Sequence, residues 1–211
     1  MTDRVISLFQ PTSRADWRRW LRANHAKATG VWLVYLKGVE RQLTYAASVE
    51  EALCYGWIDS TMRPIDAASY RQLFTPRKPK STWSALNKKR VEDLLSRALI
   101  AAPGLASIET AKANGSWTSL DAVEALSIPP DLARALASNK KAKAFFDGSA
   151  PSSRKGALHW INSVKSLELR AARVAHVVSQ AARGLRPAHQ EKALAKGKAA
   201  ARARKAERAP R

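Results

Sequence analysis

The chain contains one cysteine, Cys54, among 211 residues. That excludes an intramolecular disulfide framework and any thiolate-rich zinc site. Acids are also scarce: 17 Asp and Glu against 37 Lys and Arg leave a net charge of +20 and a pI near 10.7. Nowhere do the ~20 apolar residues that cross a bilayer run together. The opening MTDRVISLFQPTSRADW has no apolar stretch behind its charges, so no signal peptide and no membrane span are expected, and the cytoplasm is the expected location. A glycine-rich turn between strand and helix is missing, as is a GxSxG elbow, so no phosphate loop, dinucleotide fingerprint or serine nucleophile can be read. Histidines at 25, 159, 176 and 189 are scattered without metal-pair spacing. No metal and no cofactor are expected, and the enzyme hypothesis has no positive signature.

The hydrophobic fraction of 45% suffices for an ordinary core. The basic surplus predicts attraction to polyanions, such as non-specific DNA or RNA, without naming one. From Pro187 the chain is almost entirely Ala, Lys, Arg and Glu, with eight Lys and Arg against two Glu. Such a segment buries too little to offset its ordering entropy, and a disordered tail over 187–211 is expected. The remainder divides into an α+β core domain, 1–118, and a helical extension packed on it, 119–186.

Ser13 is placed to cap a helix whose stripe is Trp17, Trp20 and Leu21. GVWLVYLKG at 30–38 reads as a buried strand between glycines. Ser48 and Glu51 have capping-box spacing before a short helix that Gly56 can end. WIDSTMRPI (57–65) and SYRQLFTPR (69–77) alternate with period two and read as a hairpin, with Pro64 near a sheet edge. The fold class is α+β: a small antiparallel sheet of about three strands packed with helices, then an all-helical C-terminal part. Helices are expected from Ser81, around Pro103, over 131–138 and 139–147, and over 152–183 with a break at Ser166.

Three stretches carry a family resemblance: VEEALCYGWIDS (49–60), FTPRKPKSTWSALNKKRVEDLL (74–95) followed by GLASIETAKANGSW (104–117), and HWINSVKSLELRAARV (159–174). Together they resemble the YdeI/OmpD-associated, or bacteriocin-protection, family over roughly residues 5 to 184. The resemblance implies a link to protection against bacteriocins and cationic antimicrobial peptides. It supplies no catalytic residues, and the basic tail is an addition to the family pattern.

Two sites compete. RKPKSTWSALNKKR (77–90) holds six basic side chains and no acid. Arg77, Lys78 and Lys80 precede a helix start expected at Ser81, where unpaired N–H groups and the helix dipole favour an anion. Lys88, Lys89 and Arg90 follow, but consecutive helical residues fan out by about 100°, so they cannot all face one ligand. The alternative is a solvated basic surface with Trp83 in the core. The second site is a pocket between sheet and helices lined by Trp32, Tyr55, Trp57, Asp59 and Trp83, with Arg77 holding a small anionic ligand. Its alternative is a set of packed tryptophans and an aspartate in an ion pair. Cys54 reads as a small buried hydrophobe. A protein partner is unknown; a docking face would be Leu169, Val174, Val177 and Val178 rimmed by Arg170, Arg173 and Arg183.

Overall fold

A computed structural model gives the fold and describes residues 6–38 and 43–186; the predicted tail, 187–211, lies outside the described residues. The chain forms two compact units, Met1–Leu120 and Asp121–Arg211.

The first unit starts with a two-residue strand, β1 (Leu8–Phe9), and helix α1 (Arg14–Asn24). Ser13 accepts the Asp16 N–H at 3.1 Å, the expected cap, and α1 buries Trp17 and Leu21. Strand β2 (Val31–Leu36) alternates as a one-sided strand should: Val31, Leu33 and Tyr35 are buried while Trp32 and Val34 face outward. Helix α2 (Tyr45–Cys54) leads into the hairpin of β3 (Trp57–Pro64) and β4 (Ser69–Pro76). The sheet order is β1-β2-β4-β3, which leaves β3 and its Pro64 on an edge. The fold class holds, with one correction: the described residues form four strands, and the sheet is mixed because β1 runs parallel to β2, Leu8 opposite Trp32. Two residues are too few to show a period, so this strand leaves no sequence signal.

Two helix starts also move. Thr44, not Ser48, caps α2 by accepting the Ala47 N–H at 3.1 Å. Ser48 sits inside the helix, fully buried and hydrogen-bonded to the Tyr35 hydroxyl. Glu51 is not a box partner either; its buried carboxylate accepts from Arg14 at 2.6 Å and Arg18 at 2.8 Å. Likewise α3 (Ala85–Ser96) begins after Ser84, which accepts the Asn87 N–H at 3.3 Å. Ser81 lies three residues upstream in a turn, where its hydroxyl donates to the Lys78 carbonyl. Helix α4 (Ala102–Ala113) carries Pro103 in its first turn, as expected, and Gly115 follows with φ of +78°. Three tryptophans, Trp17, Trp57 and Trp83, are the largest fully buried side chains, and Phe74 and Leu33 from the sheet join them in one core.

The second unit is helical: α5 (Asp121–Glu124), α6 (Pro130–Ala137), α7 (Lys140–Gly148), α8 (Pro151–Asn162) and α9 (Leu167–Ala182). Ser166 caps α9 by accepting the Leu169 N–H, so it is the break expected between the last two helices. Leu132, Phe146, Leu158, Ile161 and Val177 form this unit's core. The suggested docking face is largely internal: Val174 and Val177 are buried and Val178 packs against them, while Leu169 is exposed. Two of its three arginines are tied down as well, while Arg183 is exposed. Arg170 grips Asp131 at 2.6 and 3.1 Å, and Arg173 donates to the Trp160 carbonyl and lies over the Trp160 ring.

Candidate functional site

The cleft of the first unit is built where the end of α2 meets the start of α4. The Ala101 N–H donates to the Cys54 carbonyl at 3.0 Å, and both glycines at the junction allow backbone to approach backbone. A Cβ on Gly104 would stand 2.4 Å from that same carbonyl oxygen, and one on Gly56 would stand 2.9 Å from the Pro103 carbonyl oxygen. Gly56 also has φ of +71°, which side chains other than glycine's disfavour. This close junction leads from Tyr55 to Trp57 along one wall of the cleft. Pro103, Ser107 and Thr110 of α4 form the opposite wall, and Arg77 and Pro79 close the end. The space is about 270 Å³, just under the roughly 300 Å³ at which small-molecule pockets begin.

Arg77 supplies its charge. Its guanidinium carbon lies 3.6 Å from the Trp83 ring centroid, and one terminal nitrogen donates to the Thr82 carbonyl at 2.8 Å. Its Nε is buried without a hydrogen-bond partner. Burial lowers this guanidinium to about 10, partly countered by the charge of Asp59, so it stays a cation at neutral pH. His25 reaches the cleft from the end of α1: its Nδ1 donates to the Leu21 carbonyl at 3.0 Å, and its backbone carbonyl receives the Trp57 indole N–H.

The structure brings together some of the residues read as pocket-lining and separates others. Tyr55, Trp57 and Arg77 line one cleft. Trp32 does not, because its place in β2 turns it to the opposite face of the sheet, beneath Arg63 and Arg71. Trp83 is core, packed on Trp117 at 4.9 Å, and touches the site only through Arg77. Asp59 shares a strand face with Trp57, as the alternation implied, but does not line the cleft. It accepts from the Tyr45 hydroxyl at 2.6 Å beside Gln72. Burial, and then this hydrogen bond, push the Tyr45 phenol up to about 12.

The basic run is spread out by the later helix start. Lys78 and Lys80 are exposed in the turn before it, and Ser81 is part of that turn. Lys88 stands over the Trp117 ring, where Lys112 of α4 joins it at 5.5 Å. Lys89 points to solvent and Arg90 donates to Asn87. Asn114 and Ser116 hold the Pro79 carbonyl, which fixes the turn against the end of α4. No helix N-terminus lies at Ser81 to complete the anion site drawn from sequence. Cys54 is fully buried, and burial raises its thiol. Among the described residues no group of histidine, cysteine and carboxylates is arranged to hold a metal, and no helix is long and apolar enough to cross a membrane.

His25, Ser107, Thr110 and Lys112 were not singled out from sequence. Ser107 and Thr110 of α4 meet His25 from the end of α1 in the cleft, while Lys112, further along α4, lies over Trp117 instead; nothing local marks them.

Fold and cleft define a two-unit α+β protein with a cation-ended cleft in its first unit. Comparison with known families divides the chain at nearly the same place. Residues 125–184 match the family described as bacteriocin-protection, YdeI or OmpD-associated, and residues 9–107 match a domain of unknown function, DUF8412. The family resemblance thus stands for the C-terminal segment, which includes HWINSVKSLELRAARV, whereas the stretches at 49–60 and 74–95 fall in the other match. No curated protein and no solved structure matches the chain.

Proposed function

We propose that the first unit binds a small anionic ligand, a phosphate or carboxylate on a compact apolar body, in the cleft ended by Arg77. The observation that carries this reading is the buried Nε of Arg77, unpaired although the guanidinium lies over the Trp83 ring and one terminal nitrogen donates to the Thr82 carbonyl. An unsatisfied buried donor is costly, and an anion in the cleft that draws the Arg77 side chain toward it would satisfy it with a charge-assisted hydrogen bond. Ser107 and Thr110 add hydroxyls, while Pro76, Pro103 and Ala106 offer apolar wall. In this reading the protein is a non-catalytic cytoplasmic binder, and the protection named in the matched family's description would depend on ligand capture. Ligand-observed NMR with a panel of small phosphates and carboxylates tests it. Ala106 is exposed on the cleft wall, so Ala106→Trp fills the space without entering the core. A hit that loses at least about tenfold in affinity in this variant supports the proposal; hits indifferent to it contradict it.

A second reading keeps the polyanion. Lys88 and Lys112 flank Trp117 near exposed Lys78 and Lys80, on a chain of net charge +20. Non-specific DNA or RNA would bind there with affinity falling steeply in salt, and charge reversal at Lys78 and Lys80 would flatten the slope.

A further inference from the structure

The other face of the sheet has a use that neither reading requires. Its register aligns two rows of outward side chains. Leu8, Trp32 and Leu73 stand side by side across β1, β2 and β4, and Val34, Arg71 and Arg63 across β2, β4 and β3. Trp32, Val34 and Leu73 are only half-buried and lie outside the core, and Leu8 is 58% exposed. Arg63 and Arg71 are directly opposite one another, an arrangement of like charges that destabilises a strand pair. No carboxylate occupies either row, and neither arginine has an ion pair among the described residues. Both lean on the same indole instead, with guanidinium carbons 4.6 Å (Arg71) and 5.6 Å (Arg63) from the Trp32 centroid. The Arg71 Nε is buried without a hydrogen-bond partner.

We infer that this face binds single-stranded nucleic acid, with Trp32 as the stacking platform for a base and Arg63 and Arg71 as contacts to the flanking phosphates. Two juxtaposed cations on an open sheet call for an anion between them, which relieves their repulsion. The indole beside them selects among anions. A base in a single strand exposes a flat π-face that stacks on it, whereas bases in a duplex are already stacked and base-free polyanions have none. Cation–π contacts at exposed sites are weak enough for the guanidinium groups to turn from the ring to a phosphate. Recognition would be tolerant of sequence, because every base can stack.

The test is fluorescence anisotropy of the full chain with a labelled oligo(dT), across a salt series, with inorganic polyphosphate as the base-free control. Trp32→Leu keeps the face apolar and removes the platform; oligo(dT) affinity should fall about fivefold or more while polyphosphate binding holds. Arg63 is exposed, so Arg63→Gln leaves the core alone and should lower the log–log salt slope by about 0.7, the value for one single-strand phosphate. Ala106→Trp, which fills the cleft, should leave oligo(dT) binding unchanged, which separates this site from the first. Unchanged affinity and slope in Trp32→Leu and Arg63→Gln would overturn the inference. So would an equal loss of polyphosphate and oligo(dT) binding in Trp32→Leu.

Discussion

The α-carbon of Gly104 faces the Cys54 carbonyl so closely that a Cβ there would be 2.4 Å from its oxygen. That nearest atom is backbone and cannot swing aside, and the Ile100 side chain stands at 2.7 Å beside it. Gly104→Ala therefore has to push α4 away from the end of α2, and Gly56→Ala adds an unfavourable φ to a 2.9 Å contact. Each should lower stability by about 1–3 kcal/mol in urea denaturation. Because the same junction shapes the cleft, ligand affinity should fall with it. Gly115→Ala has the positive φ without the contact and should cost less.

The start of α3 separates two serines that look alike in sequence. Ser84 accepts the Asn87 N–H, so Ser84→Ala should destabilise the protein by about 0.5–2 kcal/mol. Ser81 bonds only within its own exposed turn, and Ser81→Ala should change stability by less than about 0.5 kcal/mol. Thermal melts of the two variants decide between the starts.

Glu51 joins α1 to α2. Its side chain is 4% exposed and is shared by Arg14 and Arg18, both more than a third exposed. Glu51→Gln keeps the shape and removes the charge that both arginines use. We expect a loss of roughly 1–3 kcal/mol, read by denaturation at neutral pH; the partial hydration of the arginines keeps it well below the cost of orphaning a fully buried ion.

Tyr45 gives a pH dependence whose sign follows from its raised phenol. An unfolded tyrosine ionises near pH 10, whereas folded Tyr45, held by burial and its bond to Asp59, does so at about 12. The unfolded state therefore loses this proton first as pH rises. The contribution is full below about pH 10 and is lost progressively up to about 12. Tyr45→Phe should make the alkaline fall in stability shallower over that window, measured as urea midpoint against pH.

Much of this was legible because it is periodic or locally capped. The apolar run of 30–38 between glycines, the alternation of 57–65 and 69–77, the cap at Ser13, the break at Ser166 and the proline of α4 all depend on neighbours in sequence. What escaped depends on distant partners. Ser48-x-x-Glu51 satisfies a capping pattern, yet Tyr35 and the two arginines of α1 use those side chains inside the protein. Trp32 and Trp57 are both strand tryptophans, and only the order of strands and the side each presents to the helices sends one to the core and the other to the open face. Ser107 and Thr110 belong to the cleft because Gly56 and Gly104 bring two helix ends together, a contact no single segment reveals.

The central claim rests on Arg77, whose Nε–H is a single observable proton. The direct measurement is a ¹⁵N–¹H spectrum of arginine Nε groups during titration with inorganic phosphate or a small carboxylate, with the Arg77 signal assigned by its loss in Arg77→Lys. The account predicts that this signal shifts saturably in the wild type and not in Ala106→Trp. An Arg77 signal that stays still while those of exposed arginines move would contradict it.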